Sequence, residues 1–280
     1  MDTGTLDLTG QAALVTGGGG GIGRAVAICL AAHGADVAVV DVIPDRCAET
    51  VARIEEQGRK GLGPANVMEA EQVTKAVEQA AEAFGRLDIL VNNAGGVTRR
   101  GFTDLVEKNW RRHIDLNLVS NLAATSAAVP VMIAGGRGGS IINVTSIEGS
   151  RAAPGYAVYA ACKAGINNLT RTLAVEFADH GIRVNAIAPD YTVTPGTSGN
   201  FTGPVADTPE MPEAQREIMR RRIPLGRGGV DAECGHLAVF LSSPMARYIT
   251  GTIVPIDGGT WGSGGWIRDR AGKWVLPPDA

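Results

Sequence analysis

Residues 156–165 read YAVYAACKAG and set a phenol, Tyr159, four positions before an ammonium, Lys163. On a helix that interval puts both groups on one face. A phenol with its ordinary pKa of about 10 is a poor base at neutral pH, and a neighbouring cation favours its ionised form. Lowering it to about 7 takes roughly 4 kcal/mol, at about 1.36 kcal/mol per unit. Two close positive charges in a partly dry cleft, the ammonium and an oxidised nicotinamide, are of the right size to supply that. The phenolate then takes a proton from an alcohol as hydride leaves, or the phenol returns one to a carbonyl. Thirteen residues before Tyr159, Ser146 ends the apolar run INVTS. Its hydroxyl is thereby expected at the carboxyl edge of a sheet, where open α/β sheets bind their ligands.

A second chemical signal is VTGGGGGIGRA, between an apolar run and a helical pattern. Glycines there let the backbone amides of a helix N-terminus approach a diphosphate. Spacing leaves two registers open, Gly18, Gly20 and Gly23 or Gly17, Gly21 and Gly23. Asp41 closes the next apolar run, 18 residues after Gly23. A carboxylate there accepts hydrogen bonds from both hydroxyls of an adenine ribose and repels a 2′-phosphate. Val42 follows it and Gly20 occupies the turn, so no basic residue is expected beside Asp41; Arg24 and Arg46, near in sequence, are the two residues that weigh against this. The expected cofactor is NAD, with NADP second.

These groups need a scaffold. Apolar runs at 12–17, 36–41, 61–67, 87–95, 139–146, 182–189 and 252–257 alternate with helical patterns at 21–34, 44–57, 69–84, 103–134, 156–179, 213–222 and 231–242. The runs are continuously apolar, which predicts burial on both faces and hence a parallel sheet of about seven strands, doubly wound in Rossmann-like fashion with helices on both faces. No repeat and no linker interrupts the pattern. The expected organisation is one domain over 1–259, with an irregular loop at 190–224, and an extension over 260–280 that carries three of the four tryptophans.

Composition narrows the class. Apolar residues make up 44% and charged residues 20%, as in an ordinary globular chain, and the formal charge of −3 offers no general attraction to nucleic acid or anionic membranes. Cys29, Cys47, Cys162 and Cys234 form no metal-binding spacing and are expected as reduced, packed thiols. The acidic opening MDTGTLDLTGQ lacks the apolar core of a secretory signal, and LAATSAAVPVMIA (122–134) is too short to span a bilayer. The expected location is the cytoplasm, so the Asn-x-Thr triplets at Asn143, Asn168 and Asn200 are chance matches.

From Gln11 to Gly259 the chain resembles the short-chain dehydrogenase/reductase family. The resemblance is carried by TGGGGGIG (16–23), NNAG (92–95), Asn117 in DLNL, Ser146 and YAACK (159–163). It implies the register Gly17, Gly21 and Gly23, with Ile22 between, at the diphosphate. It implies Tyr159 as general acid/base and Lys163 on the nicotinamide ribose, lowering the phenol's pKa. Ser146 would position the substrate oxygen, and Asn117 would keep a water in a proton relay behind Lys163; the alternative for an asparagine inside a long helix is that it bridges a helix distortion. Asn93, Ala94 and Gly95 would line the cofactor, Asn66 and Val67 would stand at the adenine, and Pro189 and Thr194 near the nicotinamide carboxamide. Homotetramers, built through the long helices and last strand, are the family's common assembly. One departure is APDYTVT, where Asp190 replaces the family's usual glycine.

The implied reaction interconverts a secondary alcohol and a ketone, with no metal. The expected substrate is a small or medium apolar hydroxy compound: cyclic, terpenoid or steroid-like. Glu148, Arg151, Tyr156 and Tyr191 are candidates to reach its pocket; Phe201, Val205, Met211 and Ile218 stand in the stretch 190–224 that the resemblance places at the substrate loop; and the run Arg220–Arg222 reads as a solvated helix face, or else as a contact for an anionic substrate. Two readings compete. One is a 3-oxoacyl thioester (acyl-carrier-protein) reductase, which usually prefers NADPH. The other is a catalytically silent dinucleotide-binding regulator, which would be expected to have lost Tyr159 or Lys163.

Overall fold

The computed structural model describes residues 5–63, 65–194 and 212–276. Phe201, Val205, Met211 and Asn200 lie outside the described residues. Seven strands form one parallel sheet: Ala12–Thr16 (β1), Asp36–Val40 (β2), Gly61–Leu62 (β3), Ile89–Asn92 (β4), Gly139–Val144 (β5), Ile182–Pro189 (β6) and Ile253–Ile256 (β9), in the order β3-β2-β1-β4-β5-β6-β9. The two short strands Thr192–Val193 (β7) and Gly229–Val230 (β8) pair separately.

Alternation along the strands shows why both faces are covered. Leu14, Leu90 and Ile141 stand in register across β1, β4 and β5 in one core layer, while Val15, Val91 and Ile142 enter the other. The first layer is closed by Ala70–Phe84 (α3), Ser120–Gly135 (α5) and the end of Ala157–Glu176 (α6). The second is closed by Gly21–Ala32 (α1), Pro44–Glu56 (α2) and Asp231–Ser242 (α8). A side chain at Gly235 would come within 2.6 Å of the Cys29 sulfur, so α1 and α8 approach as closely as they do only because a glycine stands there. The strand order reverses between β1 and β4, and the carboxyl ends of the strands there open the crevice in which α/β sheets hold ligands.

Three features depart from the sequence expectation. The helical run at 103–134 is Glu107–Ile114 (α4), a π-helical turn at Asp115–Val119, then α5. Together, Glu107–Gly135 is the one helix among the described residues long and apolar enough to cross a membrane by length and composition. Its Ala124, Ala128, Val129 and Met132 are instead buried against the sheet. The extension folds back as a hairpin, Ile267–Arg268 (β10) with Trp274–Val275 (β11), against Glu213–Arg222 (α7). Arg268 lies over the Trp274 ring, 4.4 Å from its centroid, and donates to the carbonyls of Arg220 and Pro224, each at 3.0 Å. Of the arginine run, Arg220 pairs with Glu213 and Glu217 and Arg221 donates to the Arg268 carbonyl. All four cysteines are free thiols, and three are buried.

Candidate active site

A cleft of about 850 Å³ opens over the strand ends and takes in both chemical signals at once. Gly17, Gly21, Ile22, Asp41, Asn66, Val67, Asn93, Ala94 and Gly95 line it, together with Ser146, Tyr159, Lys163, Pro189 and Thr194. Gly23 and Asn117, the other two predicted positions, stand behind its wall.

The glycine turn resolves the open register. Gly17 and Gly21 have φ of +64° and +51°, a region that side chains other than glycine's seldom occupy. A side chain on Gly23 would meet the Gly17 carbonyl oxygen at 2.2 Å and Asn93 Nδ2 at 2.3 Å. Asn93 in turn donates to the carbonyls of Thr16 and Gly17 at 3.0 and 3.1 Å, locking the turn to β4. No side chain caps α1 and no acidic residue stands in its first turn. Its leading amides therefore face the cleft as an anion site, and the turn fits a diphosphate. Thr194 reaches across to this point, its Cβ 3.4 Å from where a side chain on Gly21 would begin.

At one end of the cleft the two Asp41 oxygens accept the Gly19 and Ile43 amides at 3.0 and 3.1 Å, which fixes the carboxylate and leaves each oxygen a free lone pair. The expectation that no basic residue accompanies Asp41 is corrected here. Arg46, in the first turn of α2, lines the same end, with Nη1 3.0 Å from the place a side chain on Gly20 would take. One helical turn is enough to carry a residue five positions away back over the glycines. Arg24, by contrast, is buried against Glu49. The Asn66 carboxamide is engaged locally, donating to Glu69 at 2.9 Å and accepting from the Met68 amide at 3.1 Å.

At the other end Ser146 caps a short turn, accepting from the Glu148 amide at 3.2 Å and donating to the Pro189 carbonyl at 3.3 Å. The Ser146 hydroxyl stands beside the Tyr159 phenol and favours its ionised form. Lys163 is buried, donates to the Val144 carbonyl at 2.8 Å and lies 5.5 Å from the Tyr159 ring centroid. A Cβ on Gly95 would sit 3.5 Å from Lys163 Nζ and 2.9 Å from Asn117 Oδ1, so the glycine of NNAG admits both side chains. Asn117 exchanges hydrogen bonds with the Gly96 backbone at 2.9 and 3.0 Å and donates to the His113 carbonyl at 2.9 Å, inside the π turn. Its carboxamide thus bridges the helix distortion and clamps the corner beside Lys163.

The titration differs from the simple electrostatic expectation. Burial pushes the Tyr159 phenol up to about 12, with Glu148 adding to the rise, and burial brings Lys163 down to about 8. Burial thus opposes the charged form of both groups. A closely spaced pair in a dry cleft does not form phenolate and ammonium unless more positive charge enters with the ligand.

Of the pocket candidates, Glu148, Tyr156 and Tyr191 line the cleft; Ile218 is not among its lining, and Arg151 stands just outside it, paired with Glu148 and Asp190. Sequence reading missed a buried amide network: Asn92 donates to Asn143 at 3.0 Å, Asn121 to Asn143 at 3.1 Å, and Asn143 to Thr170 at 2.9 Å. The signal was there in three asparagines at positions otherwise reading as core.

The parallel sheet, the glycine turn at its switch point and the tyrosine–lysine face define a doubly wound nucleotide-binding α/β protein. The chain belongs to the short-chain dehydrogenase/reductase family, and it is an oxidoreductase of that family. The family model described as enoyl-(acyl carrier protein) reductase matches residues 17–260. The 3-oxoacyl-(acyl-carrier-protein) reductase FabG of Thermotoga maritima is 37% identical over 91% of this chain and 99% of its own. The trans-4-hydroxycyclohexanecarboxylate dehydrogenase of Sinomonas cyclohexanicum is 37% identical over 89% of this chain and 92% of its own. Carveol dehydrogenase from Mycobacterium avium, crystallised with NAD, superposes with a TM-score of 0.80 at 31% identity, covering 92% of this chain and 99% of its own. The family uses NAD or NADP, and these relatives differ in substrate.

Proposed function

We propose that the protein interconverts a secondary alcohol and a ketone with NAD as its preferred cofactor. The observation that carries this reading is the single cleft that joins the glycine turn and Asp41 at one end to Ser146, Tyr159 and Lys163 at the other. Bound NAD supplies the hydride acceptor, and its cationic ring is the added charge that favours the phenolate. Gly17, Gly21, Ile22 and Gly23 cradle the diphosphate, with Asn93, Ala94 and Gly95 along the cofactor. Asp41 takes the adenine-ribose hydroxyls. Asn66 and Val67 stand at the adenine, and Pro189 and Thr194 at the carboxamide. Lys163 holds the nicotinamide ribose, Ser146 positions the substrate oxygen, and Tyr159 exchanges the proton at that oxygen. Asn117 holds the corner beside Lys163, where a relay water would pass.

The substrate class is a small or medium hydroxy compound with a cyclic apolar body, in keeping with the cyclic alcohols in the names of two relatives. A 3-oxoacyl thioester reductase using NADPH is the second reading. It draws on Arg46 at the adenosine end and on the Thermotoga relative. A silent regulator has no use for the paired Tyr159 and Lys163. A cytoplasmic location and a homotetramer complete the proposal. A screen of secondary alcohols and of a 3-oxoacyl thioester, each with both dinucleotides and followed by cofactor absorbance, decides among these readings. Faster turnover of a cyclic alcohol with NAD supports the first; thioester reduction with NADPH alone overturns it.

A further inference from the structure

Asp190 stands where the family usually has glycine, and the structure gives it a partner. Arg151 donates bidentately to Glu148, Nη2 to Oε1 at 2.8 Å and Nε to Oε2 at 3.3 Å, and its Nη2 lies 3.6 Å from Asp190 Oδ1. These three side chains are only partly exposed, at 35%, 20% and 17%. The segments they join are the two that grip Ser146. The Glu148 amide donates to Ser146 Oγ, and Ser146 Oγ donates to the carbonyl of Pro189, which is bonded directly to Asp190. The turn after β5 and the end of β6 are thus tied twice, through the backbone at the serine and through the guanidinium behind it. Thr260 stands beside Asp190 and Asp257 beside Arg151, so the turn after β9 adjoins the same cluster.

Building on the oxidoreductase reading above, we propose that Arg151 is a positioning residue. It staples the Ser146 turn to Asp190, and it keeps the paired carboxylates of Glu148 and Asp190 from acting on the Tyr159 phenol as uncompensated charge. The charged and titratable groups around that phenol are Lys163 along its own helix, Tyr156 at that helix's start and Glu148 from the turn after β5, with Arg99, Arg112 and Tyr191 farther along the same cleft. Behind Glu148 stand Asp190 just after β6, Asp257 just after β9 and Arg151 itself. Arg151 is the cation that is paired with both Glu148 and Asp190. Removing Arg151 leaves Glu148 free to swing and negatively charged beside the phenol, which makes the phenolate harder to form.

Two measurements on the full chain test this. The first needs no substrate: a double-mutant cycle in Tm between Arg151→Met and Asp190→Asn, with NAD affinity followed by fluorescence to show that each variant is folded. The staple predicts that the two shifts in Tm are not additive, the second substitution costing less once the first is made. Strict additivity overturns it. The second is the pH profile of kcat/KM for whichever alcohol the wild type turns over. In Arg151→Met the acid limb moves to higher pH by about one unit, as expected for an uncompensated charge a few ångströms away at a partly exposed site. Arg151→Lys, which keeps the charge but not the bidentate fork, recovers the limb's position. A profile superposable on the wild type overturns the charge role even if the cycle shows coupling. Should the wild type turn over no alcohol or ketone, the proposed function fails, and the thermal cycle still judges the staple alone.

Discussion

Replacing Lys163 by Met removes the nearest cation from Tyr159 while keeping most of the side chain's bulk. The ammonium lies 5.5 Å from the ring centroid. At an effective dielectric of about 20, a unit charge at that separation is worth about 3 kcal/mol, or about two pH units. Burial sets the phenol at about 12, so the ammonium and the ligand's charge together have to bring it down by about four units to work near pH 8. The assay is kcat for alcohol oxidation against pH at saturating NAD, with NAD affinity measured separately, because Lys163 is also the proposed ribose ligand. Lys163→Met is expected to move the acid limb up by about two units, which is roughly a hundredfold loss at a pH below both limbs. Lys163→Arg, which keeps the charge, is expected to move it far less. The limb reports the coupled pair and not the phenol alone, so the comparison is between variants at one cofactor concentration. An acid limb that stays in place in Lys163→Met would refute the electrostatic role.

Three further outcomes follow from the geometry. Asp41→Ala is expected to weaken NAD about tenfold or more, as loss of hydrogen bonds to a charged group does, and to raise the NADP/NAD ratio of kcat/KM. Adding Arg46→Ala is expected to reverse the gain with NADP, and unchanged ratios in both variants would remove these residues from cofactor choice. Gly23→Ala forces a methyl group to within 2.2 Å of the Gly17 oxygen, so dinucleotide titration of the variant is expected to show little binding, with about 1–3 kcal/mol lost in denaturant melts. Lys163 gives a pH signature in stability. Its folded pKa of about 8 lies below the ordinary 10.5, so the penalty for burying the charge is complete below 8 and is relieved as pH rises through the interval to 10.5. The stability of the wild type relative to Lys163→Met is therefore expected to rise across that interval, by roughly 3 kcal/mol at most. A flat difference would mean the ammonium is solvated.

Much of this was legible in the chain because local rules and tertiary demands agree there. The strands announce themselves as continuous apolar runs since each is covered twice, Leu14 in one layer and Val15 in the other. Asp41 was readable because a strand end followed by a helix start fixes where its carboxylate stands. The Tyr159–Lys163 face follows from helix geometry alone. What escaped depended on neighbours distant in sequence. Arg46 reaches the glycine turn only because α2 starts where it does. An asparagine inside a long helix already suggests a distortion at Asn117, but the π form of the turn at Asp115–Val119 depends on Asn117 meeting both Gly96 and His113, and no periodicity encodes that. Burial, which raises the phenol and lowers the ammonium together, comes from the packed cleft; the four-residue spacing carries only the attraction between them. The tail hairpin is held by three backbone-directed contacts between Arg268 and the end of α7, and a tryptophan-rich composition does not reveal its partner.

The most direct test is single-turnover hydride transfer in Tyr159→Phe, run beside a titration of NAD binding to the same variant. Loss of transfer by several orders of magnitude, with NAD affinity close to that of the wild type, is the predicted result. Transfer at the wild-type rate, or its loss together with NAD binding, would contradict the assignment of Tyr159 as the proton-exchanging group.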